Sequence, residues 1–340
     1  MPDSPAPLVA LITADGETRT GAASGIGLAL ARSLLARPPS SGTGASYAVL
    51  LVDLSPARLQ SVAEELAAEY GAERVDWTAA DVTDYAALAG AFERARGRWG
   101  RVDAVLGIAG ITEVFSSPDG KDPFLSSARL PSQHEAGEVP KPPSTRVIDV
   151  NLKGVLNTVH LAIAHFRANP PALDGVQGKI VVAGSAASIY PFPNESLYGA
   201  AKHGVLGLVR SLAPTLLPEG ITINAIAPSI VATGIGNSTA LAAIDEKGLL
   251  TPMETVTRSV TEVLLERDEA AGRLLTGQIL ELCLAHTLLR LPPRVANDDE
   301  QKCLEVMWPW REIEASVLAP VKEEKVEGWL RGRGVEIVRE

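Results

Sequence analysis

Residues 8–27 read LVALITADGETRTGAASGIG, an apolar run followed by a glycine-rich turn. The run from Leu8 to Thr13 is typical of a β-strand, and leucines recur on one face of a helix from Gly25 to Ala36. In a site that cradles a phosphate, the strand leads directly into the glycine turn. Here the residues ADGETR stand between the two, so the segment predicts a strand–turn–helix unit with an insertion in its turn.

Strand-like and helix-like segments alternate along the chain. Strands are predicted at 8–13, 47–53, 74–81, 102–110, 179–185, 221–228 and 277–283, and helices at 25–36, 56–70, 85–97, 144–168, 195–217 and 255–266. The run YAVLLVD at 47–53 is continuously apolar, as expected for a strand that is buried on both faces. The alternation predicts an α/β fold in which a doubly wound, parallel, seven-stranded sheet has helices on both faces.

One domain accounts for most of the chain. It spans 8–283, with insertions at about 14–20 and 112–143 and a loop at 38–46 that is rich in Pro, Gly and Ser. Residues 284–340 form a C-terminal extension that carries Trp308 and Trp310, and we expect this extension to be partly ordered. Packing back as helices, mediating oligomerisation and partial disorder all remain open for it.

Composition excludes several classes of function. The 340 residues carry a net charge of −10 and a pI of about 5.2, and no basic stripe indicates a nucleic-acid partner. Two cysteines, Cys283 and Cys303, and five scattered histidines predict neither a disulfide framework nor a metal site. The N-terminal residues lack a basic signal-peptide region, and no apolar run reaches the ~18 residues of a membrane span. We therefore expect a cytoplasmic protein without a membrane span.

The glycines of the turn have a spacing that suits a phosphate cradle. Gly21, Gly25 and Gly27 stand in the pattern G-x-x-x-G-x-G immediately before a helix. Glycines let the backbone approach a pyrophosphate closely, and the helix N-terminus offers free N–H groups and a positive dipole end. The pattern therefore predicts a dinucleotide site.

Acidic residues at the ends of the next two strands predict which dinucleotide binds. Asp53 closes the second strand, where a carboxylate would accept hydrogen bonds from both ribose hydroxyls and repel a 2′-phosphate. A helix-capping or loop acid is the alternative interpretation of Asp53. Ser24 is not basic, which also favours NAD over NADP. Asp81 would lie beside the adenine, with Val82 against its ring.

A tyrosine and a lysine stand four residues apart in YGAAK at 198–202. Tyr198 and Lys202 would share one face of a helix, where the ammonium would lower the phenol pKa from its usual value of about 10. Ser185 ends a predicted strand and would bind a substrate oxygen. Asn151 lies in VNLKG on the long helix and would hold a water that links Lys202 to solvent.

Together, TGAASGIG, Asp53, Asp81, VNLKG, Ser185, YGAAK and PSIVAT resemble the short-chain dehydrogenase/reductase family over about 8–283. The resemblance implies a single Rossmann-fold domain, usually a homodimer or homotetramer, that passes hydride between NAD(P) and the carbonyl or alcohol of a small-molecule substrate. The segments VNLKGVLNT, YGAAKHGVLGLVRS and TPMETVTRSV look closest to NAD-dependent members that are similar to 15-hydroxyprostaglandin dehydrogenase.

The resemblance also assigns roles to matching residues. Tyr198 resembles the general acid/base, and Lys202 resembles its pKa-lowering partner, which also binds the nicotinamide ribose. Ser185 resembles the substrate-orienting hydroxyl, and Asn151 resembles the proton-relay asparagine. The cofactor site implied in the same way comprises Gly21, Ser24, Gly25, Ile26, Gly27, Asp53, Asp81, Val82, Ala109, Gly110, Tyr198, Lys202, Pro228, Val231 and Thr233, the last against the nicotinamide carboxamide.

Three features depart from the family pattern. Removing 14–20 leaves LVALITGAASGIG, so this segment either loops outward or marks a mistaken exon boundary. The asparagines that usually follow the fourth strand are replaced by Gly107-Ile108-Ala109-Gly110, which predicts weaker bracing of the central sheet. Ser229 replaces the glycine that usually follows Pro228.

The substrate region predicts a hydrophobic ligand. Residues 229–252 would form a lid, and they are mostly small and apolar, with Lys247 as their one cation. We therefore expect an NAD-dependent oxidoreductase that interconverts a hydrophobic or aromatic secondary alcohol and a ketone. Two alternatives stay open: a non-catalytic binding protein with a disrupted phosphate loop, and an NADP-dependent carbonyl reductase in which Arg19 would reach the 2′-phosphate.

Overall fold

Nine strands form one sheet within the part of the chain that the structure describes. The structure is a computed structural model, and it describes residues 6–13, 24–39, 45–113, 121–128, 139–170, 176–233, 238–266, 275–291 and 324–338. The strands are β1 (Leu8–Thr13), β2 (Tyr47–Asp53), β3 (Val75–Ala79), β4 (Ala104–Gly107), β5 (Gly178–Ala183), β6 (Ile221–Pro228), β7 (Ile279–Cys283), β8 (His286–Arg290) and β9 (Val335–Val338). Their order in the sheet is β3-β2-β1-β4-β5-β6-β7-β8-β9.

The first seven strands are parallel, which confirms the predicted doubly wound fold. The chain moves outward from β1 to β2 and β3, and it then returns to place β4 on the other side of β1. This reversal leaves a crevice at the carboxyl ends of β1 and β4, where open α/β sheets bind their ligands.

The strand count is a correction, because the sheet has nine strands rather than the predicted seven. A two-residue turn, in which Leu284 has a φ of 53°, leads from β7 into antiparallel β8. β9 then pairs with β8 in parallel. These short strands fall in the segment that we predicted as a C-terminal extension, whereas its Trp308 and Trp310 lie outside the described residues.

Helices cover both faces of the sheet. They are α1 (Gly25–Ala36), α2 (Pro56–Tyr70), α3 (Tyr85–Trp99), α4 (Pro123–Ser127), α5 (Arg146–Ala168), α6 (Ser196–Leu216), α7 (Ser238–Asp245), α8 (Met253–Arg258) and α9 (Glu324–Gly332). Alternate residues of β1 contribute to two separate apolar clusters, Ile12 with Leu30 of α1 and Leu11 with Phe92 of α3. Both faces of this central strand are therefore buried, which explains its continuous apolar sequence.

Helix α5 is apolar and long enough, by length and composition alone, to cross a membrane. Half of its apolar stretch is buried inside the protein, however, and Val159 and Phe166 belong to the cluster between the sheet and α3. It is therefore a core helix of the domain. A π-helical turn, Asp149–Gly154, interrupts its first part, and turns of this kind often occur at functional sites.

The close approach of β5 to α5 generates a stability prediction. Gly178 begins β5, and a Cβ atom at this position would overlap the ring of buried Phe166. Gly178→Ala should therefore lower the free energy of unfolding by about 1–3 kcal/mol, as overpacking does. Gly90→Ala is the control, because Gly90 lies on the exposed face of α3 with no atom within 4 Å, and alanine should stabilise that helix. Urea unfolding curves measure the free energy of unfolding of both variants. Equal changes in the two variants would contradict the close packing of Gly178 against Phe166.

Candidate active site

A cavity of about 350 Å³ lies at the carboxyl ends of the central strands. Its walls come from the start of α1, the segments that follow β4, β5 and β6, the first turns of α6, and α7. The lining residues are Ile26, Gly27, Ile108, Gly110, Thr112, Ala183, Gly184, Ser185, Ala186, Phe192, Glu195, Tyr198, Lys202, Pro228, Ser229, Ile230, Val231, Thr233, Leu241 and Ile244. Most of these side chains are apolar, and Glu195, Tyr198 and Lys202 are polar residues at or near the start of α6.

The predicted site residues divide into three groups. Those that line the cavity are Ile26, Gly27, Gly110, Ser185, Tyr198, Lys202, Pro228, Val231 and Thr233. Those that lie elsewhere in the described chain are Ser24, Gly25, Asp53, Asp81, Val82, Ala109 and Asn151. Gly21 lies outside the described residues, as do the insertion at 14–20 and residues 40–44 of the predicted loop.

Ser185 is held in place by the turn that follows β5. It caps a short 3₁₀ helix, Ala186–Ser188, and its Oγ accepts the N–H of Ala187 at 3.2 Å. In return, its own N–H donates to Ser188 Oγ at 2.9 Å. This reciprocal capping box limits the rotation of the Ser185 side chain at the cavity wall.

Lys202 and Tyr198 have pKa values that burial moves in opposite directions. Nζ of Lys202 donates to the carbonyl of Ala183 at 2.8 Å, and burial lowers the pKa of this lysine to about 8. Burial raises the pKa of Tyr198 to about 12, although a hydrogen bond from Ser185 lowers it in part. The prediction that the neighbouring ammonium lowers the pKa of Tyr198 is therefore wrong here, because the pKa is raised and the lowering contribution comes from Ser185. Nζ lies 5.6 Å from the centroid of the Tyr198 ring.

Asn151 anchors the segment that follows β4. Its Oδ1 accepts the N–H of Ile111 and its Nδ2 donates to the Ile111 carbonyl, each at 2.8 Å, and the residue is fully buried. A Cβ atom on Gly110 would lie 3.2 Å from Asn151 Oδ1 and 3.3 Å from Lys202 Nζ. This arrangement braces the loop in which the family asparagines are missing, and it requires a small residue at position 110.

The described part of the dinucleotide region has features that fit NAD(P). Gly25 has a φ of 53°, a conformation that favours glycine, at the start of a helix with no acidic residue in its first turn. Asp53 is buried at the carboxyl end of β2, where its Oδ1 accepts the N–H of Ser55 at 3.2 Å. Asp81 forms two 2.7 Å hydrogen bonds with Thr83, and Val82 is buried beside it.

Sequence reasoning missed three acidic residues around the N-terminus of α6. Glu113 Oε2 accepts the N–H of Tyr198 at 2.8 Å, and the same carboxylate accepts the N–H of Leu197. Asp122 accepts the backbone N–H of Ser196 at 3.2 Å and also its hydroxyl. The third acid, Glu195, lines the cavity itself.

These contacts show that the predicted insertion at 112–143 is anchored to α6 by two buried acids, although other residues of it, such as Leu125 and Val139, are exposed. Glu113 and Asp122 belong to this segment, and only about one-twentieth of Glu113 and 3% of Asp122 is exposed. One signal was present in the sequence: Asp122 precedes Pro123, a typical helix start, and it caps α4 by accepting N–H groups of Phe124 and Leu125. Glu113 gave no such signal, because its partner Tyr198 lies 85 positions further along the chain.

Comparisons with known proteins identify the family. A family model described as short chain dehydrogenase matches residues 18–242. Short-chain dehydrogenase/reductase prx6 of Penicillium rubens is 30% identical over 304 residues, which cover 89% of this chain and 92% of the relative. 3-Hydroxyacyl-CoA dehydrogenase type-2 of Homo sapiens is 31% identical over 63% of this chain and 72% of that protein. The chain therefore belongs to the short-chain dehydrogenase/reductase family, whose members use NAD(P), and is an oxidoreductase that acts on CH–OH groups.

Two further comparisons are informative about fold and relatives. The crystal structure of levodione reductase superimposes with a TM-score of 0.60 at 24% identity, covering 81% of this chain and 96% of that chain. (−)-trans-Carveol dehydrogenase of Rhodococcus erythropolis is 36% identical over 45% of this chain and 47% of its own length. The structural similarity supports the fold, and the finer resemblance to 15-hydroxyprostaglandin dehydrogenase stays a prediction.

The cap on α6 generates the second prediction. Glu113→Ala would leave the partly buried N–H groups of Leu197 and Tyr198 without their acceptor, so it should lower the free energy of unfolding by about 1–3 kcal/mol. Glu113→Gln keeps an acceptor oxygen and should lose less. The exposed Glu246 supplies the control Glu246→Ala, which should be neutral. Urea unfolding measures all three variants, and a harmless Glu113→Ala would show that the cap does not support the helix.

Proposed function

We propose that this protein is an NAD-dependent dehydrogenase that interconverts a secondary alcohol and a ketone on a hydrophobic or aromatic small molecule. The observation that carries the proposal is the meeting of Ser185, Tyr198 and Lys202 at the wall of one largely apolar cavity. Proton transfer to and from a substrate oxygen needs a positioned acid/base group. Tyr198 can supply that group, while Ser185 and Lys202 lie beside it at the same cavity wall.

In this proposal Tyr198 takes the proton of the alcohol during oxidation and returns it during ketone reduction. Ser185 orients the substrate oxygen through its hydroxyl. The capping box suits it to this role, because it fixes the backbone that carries the side chain. The ammonium of Lys202 favours the phenolate and also binds the nicotinamide ribose. Asn151 serves the proton relay by fixing the segment beside Lys202, because both polar atoms of its side chain bond to Ile111. When bound, the nicotinamide supplies the hydride chemistry.

The preference for NAD rests on Asp53. A buried carboxylate at the end of β2 would accept hydrogen bonds from the ribose hydroxyls and would repel a 2′-phosphate. The rest of the proposed cofactor site consists of the residues predicted from the sequence. Gly27 and Gly110 would lie where the backbone approaches the cofactor closely, and Val231 and Thr233 would lie beside the nicotinamide.

The substrate proposal rests on the cavity wall. Ile230, Leu241 and Ile244 come from the segment predicted as a lid, and Phe192 lies with its ring centroid 6.2 Å from that of Tyr198. Apolar and aromatic side chains of this kind bury hydrocarbon surface rather than a phosphate.

We also propose a cytoplasmic location.

We further propose that the protein is a homodimer or homotetramer. An exposed groove between α3, α5 and α6 is lined by Tyr85, Leu156, Asn157, Val159, His160, Ile163, Leu208 and Leu212. Apolar side chains such as Leu156, which is 42% exposed, would lose contact with water if two copies packed there.

A non-catalytic binding protein is the second candidate, and the observation that favours it is the ADGETR interruption of the phosphate loop. NADH binding separates the two candidates. Titration of purified protein, followed by nicotinamide fluorescence, should give saturable NADH binding and weaker NADPH binding. Absence of binding by either cofactor would refute the dehydrogenase, and tighter NADPH binding would favour the NADP-dependent reductase.

The role of Tyr198 can be tested directly. Tyr198→Phe should lower kcat by about 10²–10⁴-fold, the usual contribution of a general acid/base, with NADH affinity unchanged. In the unmodified enzyme, alcohol oxidation should accelerate as pH rises, because the pKa of Tyr198 is raised and the proton-accepting phenolate forms at high pH. Tyr70→Phe, at the end of α2 and outside both the cavity and the proposed interface, is the control. Turnover retained in Tyr198→Phe would refute the assignment.

The role of Asp53 can be tested by cofactor titration. Asp53→Ser should weaken NADH binding about tenfold or more, because charge-assisted hydrogen bonds to the ribose are lost, and should improve NADPH binding relative to NADH. Glu64→Gln, on the exposed face of α2, should change neither. An unchanged NADH/NADPH ratio in Asp53→Ser would show that this carboxylate does not select the cofactor.

A further inference from the structure

Glu195 is a buried acid whose carboxylate is only partly used by the protein. It directly precedes α6, lines the cavity, and is 4% exposed. The backbone N–H of Glu113 donates to this carboxylate, whereas Oε2 has no hydrogen-bond partner among the described residues. A buried acceptor without a partner is costly, so such an atom in a cavity wall calls for an explanation.

Capping of the helix does not explain this carboxylate. Glu195 occupies the N-cap position of α6, yet its side chain makes no capping hydrogen bond. The first N–H groups of the helix are already accepted by Asp122 and Glu113. The side chain of Glu195 therefore does not cap α6, which is the usual role of an acid at this position.

The surroundings of Glu195 decide what kind of group it can bind. Burial, together with the charges of Glu113 and Asp122, raises its pKa to about 7, although the hydrogen bond from the backbone of Glu113 opposes part of this rise. Such a site disfavours an anion and favours a hydrogen-bond donor. Glu195 also acts electrostatically on Tyr198, so the two side chains lie at the same end of the cavity.

We propose that Glu195 is a specificity-determining residue that accepts a hydrogen bond from a second hydroxyl group of the substrate, close to the reacting carbon. The inference rests on the proposed dehydrogenase function and narrows its substrate class to hydroxylated hydrophobic molecules. The remaining wall, including Phe192 and Ile230, contacts the hydrocarbon part. A substrate with a carboxylate in place of the second hydroxyl is rejected.

The test compares substrates that differ in this one group. Cyclohexanol, 1,2-cyclohexanediol and 2-hydroxycyclohexanecarboxylate are assayed with NAD and the unmodified enzyme, Glu195→Gln and Glu195→Leu. At a pH well above 7, where Glu195 is ionised, the unmodified enzyme should have a kcat/KM for the diol about tenfold or more above that for cyclohexanol, as one charge-assisted hydrogen bond allows. Glu195→Leu should remove this preference, mainly through KM, and Glu195→Gln should keep part of it because its amide oxygen still accepts.

A binding measurement makes the test independent of turnover. Calorimetric affinities for the same three compounds are measured in the presence of NADH in a Tyr198→Phe background, with and without Glu195→Leu, after circular dichroism shows that the variants are folded. The diol should bind most tightly and lose its advantage with Glu195→Leu, while the carboxylate should gain affinity.

The outcomes separate the two proposals. If the unmodified enzyme oxidises none of these alcohols, nor a wider set of hydrophobic ones, the proposed function fails, and the calorimetric ranking still decides the role of Glu195. If the diol has no advantage over cyclohexanol, or the advantage survives Glu195→Leu, the proposal about Glu195 is wrong. Tighter binding of the carboxylate to the protein that retains Glu195 would also overturn it.

Discussion

The exchange of two hydrogen bonds between Asn151 and the backbone of Ile111 is the constraint on which the site depends. It ties the π-helical turn of α5 to the segment that leaves β4. Two residues further on, Glu113 accepts N–H groups at the start of α6, the helix that carries Tyr198 and Lys202. The positions of the tyrosine and the lysine are therefore set by a chain of buried polar contacts that starts at one asparagine side chain.

Burial gives these polar groups their chemical character. Lys202 and Tyr198 both shift towards their neutral forms, the lysine downward and the tyrosine upward in pKa. Glu195 shifts upward as well. Because these side chains are buried, a charge or a hydrogen-bond donor brought by a ligand has more effect on them than it would have at a surface. The apolar wall thus contributes to reactivity as well as to substrate selection.

Much of the fold could be predicted from sequence, because alternation of apolar strands and amphipathic helices is a local signal. The run at 47–53 was recognisable as a strand from its own residues. Strand β8 was missed because it is short and follows β7 after a turn of only two residues, and β9 was missed because its partner, β8, lies far away in sequence. Glu113 and Glu195 were missed for a similar reason, since their importance comes from a contact between the segments after β4 and before α6. Tyr198 and Lys202 were recognisable because their spacing is encoded within one helix.

The interruption of the phosphate loop can be localised by the elements on either side of it. Thr13 at the end of β1 is in register with Val52 and Gly107, and its carbonyl accepts the N–H of Ile108 at 3.0 Å. On the other side, Leu30 of α1 packs in the same apolar cluster as Ile12. A shift of β1 by one residue would exchange the side chains that pack in the two apolar clusters, and a shift of α1 would break its packing in the cluster that contains Ile12. Any effect of the inserted residues on cofactor affinity therefore arises between Thr13 and Ser24, while the sheet edge, Asp53 and the tyrosine–lysine pair keep their places.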